Sequence, residues 1–400
     1  MRGPARLIRR PPSRFRTRVL SVGPIPPEWG GRLRGGVSRF NATLLEQFRT
    51  RPWRHRIEPL GVLIPPPQRV KRWRAKKGCP LPVFMQPEEG RPRRFTGILM
   101  DELAADVVLL NNLAAFNGAR YARVQSQVAP QVPIVAVVHE WRAIRAKVDE
   151  ERRLRYLRAA QLGLDSVAAV TFPSEHTSRL GREELGLRYP QRSQVIPNPL
   201  QEAFVDPAIE IGGERRGVAF VGSFNDRKNP IALIEAAAES GFELTMQGRG
   251  PLEAELRERV AELGIEERVI FPPYVEPPGH VAAVIDVMRS SELVCLPSLS
   301  ESFGLVQIEA LATGTPVAAF GPTFEEIQER MGTDIGEPIW EGTAEEIAAA
   351  IERIRARSFD RAKLRRRALQ RFSPTTVAAE YARLLRAVAR NATPKREGAL

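Results

Sequence analysis

Two carboxylates, Glu301 and Glu309, stand eight positions apart in "SLSESFGLVQIEALATGTPVAAFG", on either side of Gly304. Carboxylates accept paired hydrogen bonds from neighbouring hydroxyls, as an acid does on the ribose of a dinucleotide. Between them the N–H groups of Phe303, Gly304 and Leu305 would lie at a helix N-terminus, which suits a diphosphate. If mostly helical, eight residues span about 12 Å, roughly the reach from a sugar ring across a diphosphate to a ribose. The plainer reading is an N-cap acid followed by a helix-surface glutamate. A matching cation is Lys228 of "VGSFNDRKNP", in a loop leading into the helix that Pro230 opens. An ammonium there stabilises negative charge growing on a leaving phosphate. Its plainer reading is a surface lysine, although the helix macrodipole disfavours a cation at that end.

Two glycine clusters are weaker signals. "GGRLRGGVSRF", residues 30–40, follows the first apolar run. Its Gly35–Gly36 pair would let backbone amides approach a phosphate, and it reads equally as a flexible turn. "GRGPLE", from Gly248 to Glu253, lacks the third glycine of the dinucleotide fingerprint, and Pro251 more simply starts a helix. Hydride transfer is therefore disfavoured.

The elements that must position these residues alternate. "RVLSVGPI", "ADVVLLNN", "VPIVAVVHE", "VAAVTFPS" and "SQVIPN" read as strands, and helical stretches such as "WRAIRAKVDEERRLRYLRAAQLGL" separate most of them. After a proline- and glycine-bearing linker the pattern restarts with "VAFVGS", "FELTMQGRG", "RVIFPPYV", "LVCLPS" and "PVAAFG". Such alternation predicts parallel sheets wrapped by helices. The expected organisation is a basic arm over 1–17, an α/β domain over 18–200, a linker over 201–216, and a second α/β domain over 217–372. A C-terminal helix and tail over 373–400 would follow, the helix packing back on the first domain. Residues 51–95, with "RPWRHR", "QRVKRWRAKKG" and "GRPRRF", break the regularity and read as an irregular basic insertion carrying Trp53 and Trp73.

At 400 residues with 43% hydrophobic and 27% charged residues, the chain has the composition of a soluble, two-domain globular protein. Its formal net charge of +13 calls for a polyanionic neighbour: phosphorylated substrates, an acidic membrane face or nucleic acid. Tryptophan beside arginine favours anionic lipid headgroups for the basic segment, and no nucleic-acid motif accompanies it. No apolar run approaches the roughly 18 residues of a membrane span. "VLSVGPIPP" is too short and proline-rich for a secretory signal. Cys79 and Cys295 form no motif, and the 4 histidines lack metal-site spacing. The expectation is a cytoplasmic chain without a structural metal, peripheral on the inner membrane face.

"ESFGLVQIEALATGTPVAA" resembles the signature of retaining glycosyltransferases of the glycosyltransferase-B fold, the family-four or group 1 type. Further pieces match in order over nearly the whole chain: "GGV", "VVHEW", "VIPNPL", "FVGSFNDRKN", "QGRGP" and "VIFPPYV". The resemblance implies two Rossmann-like domains facing each other across a cleft. The second would hold a nucleotide-sugar donor, and the first most of the acceptor. By position, it implies that Glu309 holds the ribose hydroxyls and Glu301 those of the donor sugar, while Lys228 neutralises the departing diphosphate. Phe303, Gly304, Leu305, Gly222 and Gly248 fall on the donor side, and Gly36 would line the diphosphate's path. His139 would contact the transferred sugar, although a histidine closing a core strand is the plainer reading.

The family needs no metal or cofactor beyond the nucleotide-diphosphate sugar as co-substrate. The leaving phosphate takes the acceptor proton on the same face, so configuration is retained. One position departs from the pattern. An arginine usually follows the glycine of "VG", and this chain has Ser223. Arg227 and Arg249 are the candidate compensating cations. The implied activity is hexosyl transfer to a hydroxyl of a glycan or lipid-linked acceptor, in cell-surface glycan or glycolipid synthesis. The alternative, which Ser223 supports, is a catalytically silent sugar-nucleotide-binding or scaffold protein of the same fold. An epimerase or a phosphorylase would need extra acid–base residues or a lysine-bound pyridoxal, and no motif for either is present.

Overall fold

A computed structural model of the chain describes residues 16–26, 29, 36–64, 80–85, 92–114, 116–141, 149–276 and 279–392. The basic arm up to residue 15, Gly35, Trp73 and Cys79 lie outside the described residues. Leu200–Thr376 forms one compact unit, and the described residues on either side form the other.

The first unit is built on β1 (Thr17–Val22), β2 (Ile57–Ile64), β3 (Val83–Met85), β4 (Val107–Asn111), β5 (Ile134–Val137), β6 (Ala169–Phe172) and β7 (Ser193–Val195). They form a 7-stranded sheet in the order β3-β2-β1-β4-β5-β6-β7, with every pairing parallel. The second unit has β8 (Val218–Val221), β9 (Leu244–Gln247), β10 (Val269–Ile270), β11 (Leu293–Leu296), β12 (Val317–Phe320) and β13 (Gly336–Ile339). Its 6-stranded parallel sheet runs β10-β9-β8-β11-β12-β13. In both sheets the winding direction reverses once, between β1 and β4 and between β8 and β11. That reversal opens a crevice at the carboxyl ends of the strands, where ligands bind in such sheets.

The strands read as unbroken apolar runs because both faces are covered. In the first sheet Leu20, Leu110, Ala136 and Val170 enter one core, while Val19, Val107, Val135 and Ala169 enter the other. The second sheet divides the same way, with Ala219 and Val294 on one side and Val218 and Leu293 on the other. The C-terminal helix Pro374–Ala392 contributes Val377, Ala378, Tyr381 and Leu385 to the core that holds Val19 and Val107. Its Tyr381 hydroxyl lies 3.1 Å from that of Thr171 on β6.

Two expectations are corrected. Residues 51–95 are not an irregular insertion throughout: "IEPLGVLI" is β2, paired with β1 inside the sheet, and β3 follows it. Flanking arginines and Pro59 hid the apolar run. Pro59 cannot donate to a ladder, and the register shifts beside it, Val19 facing Pro59 and Leu20 facing Gly61. Of "WRAIRAKVDEERRLRYLRAAQLGL", residues 142–148 lie outside the described residues, and the described helix runs over Glu150–Leu164, capped by the Asp149 carboxylate, which accepts from the Arg152 amide at 2.8 Å. Trp141 is buried and donates its indole N–H to Thr177 O at 2.9 Å. Residues 201–216 are not a free linker. Arg365 donates to Phe204 O at 3.1 Å, and Arg215 binds Thr315 Oγ1 at 2.6 Å, so this stretch is part of the second unit.

A buried polar cluster, which the apolar pattern did not announce, closes the first sheet's crevice. Ser21 Oγ and Asn111 Nδ2 both donate to Asn41 Oδ1 at 2.7 Å, and Asn41 Nδ2 donates to Pro24 O at 2.9 Å. It ties β1 and β4 to the helix Gly36–Thr50. Asn41→Ala leaves two buried donors without their acceptor, a loss of about 2–3 kcal/mol. Thermal melting should show it as a fall of several degrees; an unchanged midpoint would refute the role.

Candidate active site

The second sheet's crevice is flanked by the loops after β8 and β11, and each delivers a charged group. After β8, Asp226–Lys228 form a single 3-10 turn, capped by Asn225, whose Oδ1 accepts from the Lys228 amide at 3.2 Å. Asn229 then takes a left-handed conformation (φ 53°), and Pro230 opens the helix Pro230–Ser240. This reversal turns Lys228 towards the neighbouring loop. There its ammonium pairs with Glu301 Oε1, and Arg227 Nη1 lies 3.2 Å from the same oxygen. Arg227 also donates to Ser300 O at 2.7 Å, and its own carbonyl accepts from the Leu299 amide at 2.8 Å. The side chains of Lys228 and Glu301 are each only 13% exposed. Burial pushes the Glu301 carboxyl up, but Lys228 and then Arg227 outweigh it, so its pKa lies below the ordinary carboxylate value.

Beyond Glu301 the chain reaches Phe303, buried against Phe372 with ring centroids 6.0 Å apart. Gly304 precedes the helix Leu305–Ala312 and holds a left-handed conformation at φ 85°. That left-handed backbone is what calls for glycine, since the atom nearest an added Cβ, Gln307 Nε2 at 2.4 Å, is the end of a flexible side chain. No side chain caps this helix, which leaves the N–H groups of Leu305 and Val306 to the crevice, while the Gln307 amide donates to Gly304 O at 3.0 Å. Glu309, 7% exposed, receives Gln201 Nε2 at 2.8 Å. The 12 Å expectation for the two glutamates is corrected in its basis. Only 305–309 of that stretch are helical, and the remainder turns around Gly304.

The two other glycines act through backbone contact. Gly222 N donates to Gln247 O at 3.0 Å, and a Cβ on Gly248 would lie 1.8 Å from Gly222 O. The loops after β8 and β9 are thereby stitched together, with Phe224 N donating to Arg249 O at 2.9 Å. The Arg249 guanidinium stacks over Tyr274 at 4.1 Å. It lines a cavity of about 430 Å³ with Phe224, Gly248, Arg257, Phe271 and Tyr274. Of the two candidate cations, Arg227 therefore stands at Lys228 and Glu301, while Arg249 is engaged in this neighbouring cavity. Ser223 is exposed.

Gly36 and His139 belong to the first unit. Gly36 is the exposed first residue of its helix. His139 follows β5, is 5% exposed, and meets Phe40 edge-on at 4.7 Å. Its Nε2 is buried without a hydrogen-bond partner among the described residues. Sequence reasoning missed Gln201, for which no signal existed, and the left-handed Asn229, for which the "NP" dipeptide was a fair one.

Residues 203–371 match the family of glycosyl transferases group 1, so the second unit is a group 1 glycosyl transferase domain. Named relatives include the D-inositol 3-phosphate glycosyltransferase of Nocardia farcinica, 44% identical over 115 residues, covering 26% of this chain and 24% of the relative. That of Mycolicibacterium smegmatis is 42% identical over 113 residues, covering 26% and 25%. The match thus spans about a quarter of the length of these relatives. Among solved structures, Anabaena HepE in complex with UDP is similar with a TM-score of 0.66 at 19% identity, covering 93% of this chain and 100% of that one. Sucrose-phosphate synthase from Thermosynechococcus elongatus gives 0.65 at 19%, covering 94% and 100%. At such identities the likeness is one of fold, and the fold of the two parallel-sheet α/β domains is that of the glycosyltransferase-B proteins.

The burial of His139 sets a pH dependence. Burial lowers its pKa from 6.5 to about 3, so in that window the unfolded chain binds a proton that the folded chain refuses. Its contribution to stability is whole above pH 6.5 and is lost as pH falls towards 3. Urea midpoints at about pH 7.5 and pH 5 should differ less for His139→Gln than for the wild type. Equal differences would show that His139 titrates normally.

Proposed function

We propose that the chain is a retaining, metal-independent hexosyltransferase that moves a sugar from a nucleotide-diphosphate donor to an acceptor hydroxyl. One observation carries the reading. Lys228 and Arg227 converge on Glu301 at the crevice of the second sheet, beside an uncapped helix N-terminus that leads to Glu309. Cations and helix amides suit the diphosphate, and the two carboxylates suit the hydroxyls at either end of it. Glu301 then orients the transferred sugar and Glu309 the ribose, while the cavity beside Gly248 and Tyr274 takes the base. As the glycosidic bond breaks, charge grows on the leaving phosphate oxygen, and Lys228 stabilises it with Arg227 in the place of the usual arginine. The same oxygen accepts the acceptor's proton, and the new bond forms on the face that the diphosphate leaves.

Solved neighbours include Anabaena HepE with UDP-glucose, and the named relatives are D-inositol 3-phosphate glycosyltransferases. UDP-sugars are accordingly the first donors to test. A hydroxyl of a glycan or lipid-linked acceptor, in cell-surface glycan or glycolipid synthesis, is the acceptor class this reading favours. Ser223 supports the silent sugar-nucleotide-binding alternative, because it removes a cation from the donor loop.

Nucleoside diphosphate release from a panel of nucleotide sugars, with and without soluble glycan and polyprenol-linked acceptors, tests the proposal. Turnover unaffected by chelator is expected, whereas binding without release would favour the silent alternative. Lys228→Ala should lower kcat by about 10²–10³, and Arg227→Ala by about tenfold or more. Arg249→Ala should act on donor KM instead. Near-normal kcat in Arg227→Ala would remove it from the role left open by Ser223.

A further inference from the structure

The first unit gathers arginines from two places far apart in sequence. The short helix Pro52–His55 is bracketed by Arg51 and a left-handed Arg56 (φ 54°), and carries Arg54. Arg383, Arg386 and Arg390 follow one another at i, i+3 and i+7 on the helix Pro374–Ala392, and so share a stripe. The opposite face of that helix, Tyr381, Leu385 and Val388, enters the core, so the stripe is forced outward. Arg51, Arg54, Arg56, Arg383 and Arg390 are exposed, and Arg386 is half-buried among them.

Their charges act on one another. The Arg386 pKa is lowered by burial and then by Arg56, Arg390 and Arg383. That of His55 falls to about 4 through burial and then through Arg54, Arg51 and Arg386. Of the acids on these elements, Glu46 holds Arg49 at 2.9 Å and Glu58 faces Arg18 at 4.0 Å, and Glu380 stands one turn before Arg383 on its helix. Among the described residues none of Arg54, Arg56, Arg383 and Arg390 forms an ion pair. A group of like charges held together by the fold lowers its energy only against an external anion.

We infer that Arg51, Arg54 and Arg56, with Arg383, Arg386 and Arg390, form a docking face for an anionic phospholipid bilayer. Lipid rather than nucleic acid is favoured by the neighbouring sequence. In the sequence Trp53 stands between Arg51 and Arg54, and "QRVKRWRAKKG" with Trp73 follows a few residues beyond β2. Arginine interleaved with tryptophan is the composition of a membrane-interface segment, and no nucleic-acid motif is present. This face belongs to the first unit and does not depend on the donor chemistry proposed above.

Co-sedimentation of the full chain with phosphatidylglycerol–phosphatidylcholine vesicles tests it. Binding should be strong at low salt, absent on pure phosphatidylcholine and abolished by about 0.5 M NaCl. Combined Arg54→Gln, Arg383→Gln and Arg390→Gln should weaken partition by at least about tenfold, at an unchanged melting temperature. Arg390→Gln alone, at an exposed position, should weaken it by a few-fold and serves if the combined variant does not fold. Wild-type binding by a folded variant would overturn the inference. So would tighter binding of a duplex DNA or RNA oligonucleotide than of the acidic vesicles at the same salt.

Discussion

The contact between the loops after β8 and β11, made by Lys228 and Arg227 on one oxygen of Glu301, is the constraint on which the second unit's chemistry rests. Two cations and one acid in a partly buried crevice leave a net positive site. Such a group is stable because the carboxylate is shared, and removing the carboxylate would leave two like charges facing each other without a counter-ion, at a cost of about 3 kcal/mol or more. The excess charge faces the N-terminal end of the Leu305–Ala312 helix, whose dipole has the same sign there. Side chains and backbone therefore ask for one thing, an anion.

Holding that arrangement falls to parts with no chemistry of their own. At the far end of the Leu305–Ala312 helix, arginines take the last carbonyls: Arg365 binds Ala312 O, Arg215 binds Thr313 O at 3.1 Å, and Arg361 binds Gly314 O at 3.2 Å. Cations at a helix C-terminus are favourable, and here they also anchor residues 204–211, through Phe204 O and Ile211 O. Burial, with Arg361 and Arg289 beside it, pushes the Arg215 pKa down to about 10, so the guanidinium remains charged. Gly248 completes the support, because a Cβ there would fall 1.8 Å from Gly222 O and force the two loop backbones apart. The helix that carries Glu309 is thus fixed from both ends, and Gln201 orients its carboxylate.

Most of the sheet architecture was legible in the sequence, because strands buried on both faces leave unbroken apolar runs that helices interrupt. Where the reading failed, local composition masked the pattern. Pro59 and the surrounding arginines hid β2, and "GEPI" is too short and polar to announce β13. The chain from 201 to 216 has the composition of a linker, yet its arginines bind carbonyls contributed by distant residues, which no local pattern can report.

Residue types and spacing alone determined that Glu301 and Glu309 bracket a glycine at the entry to a helix, and that a lysine follows the first strand of the second half. These depend on neighbours in the chain. Tertiary structure decided which cation meets which acid, placing Arg227 at Glu301 and Arg249 over Tyr274. It also decided that His139 is buried, with Nε2 unpartnered among the described residues, and that arginines from positions 51–56 and 383–390 come close enough to act on one another's charge. Such outcomes depend on the order of strands in the sheet and on which helix covers which core, and electrostatic partnership follows distance in space, not separation along the chain.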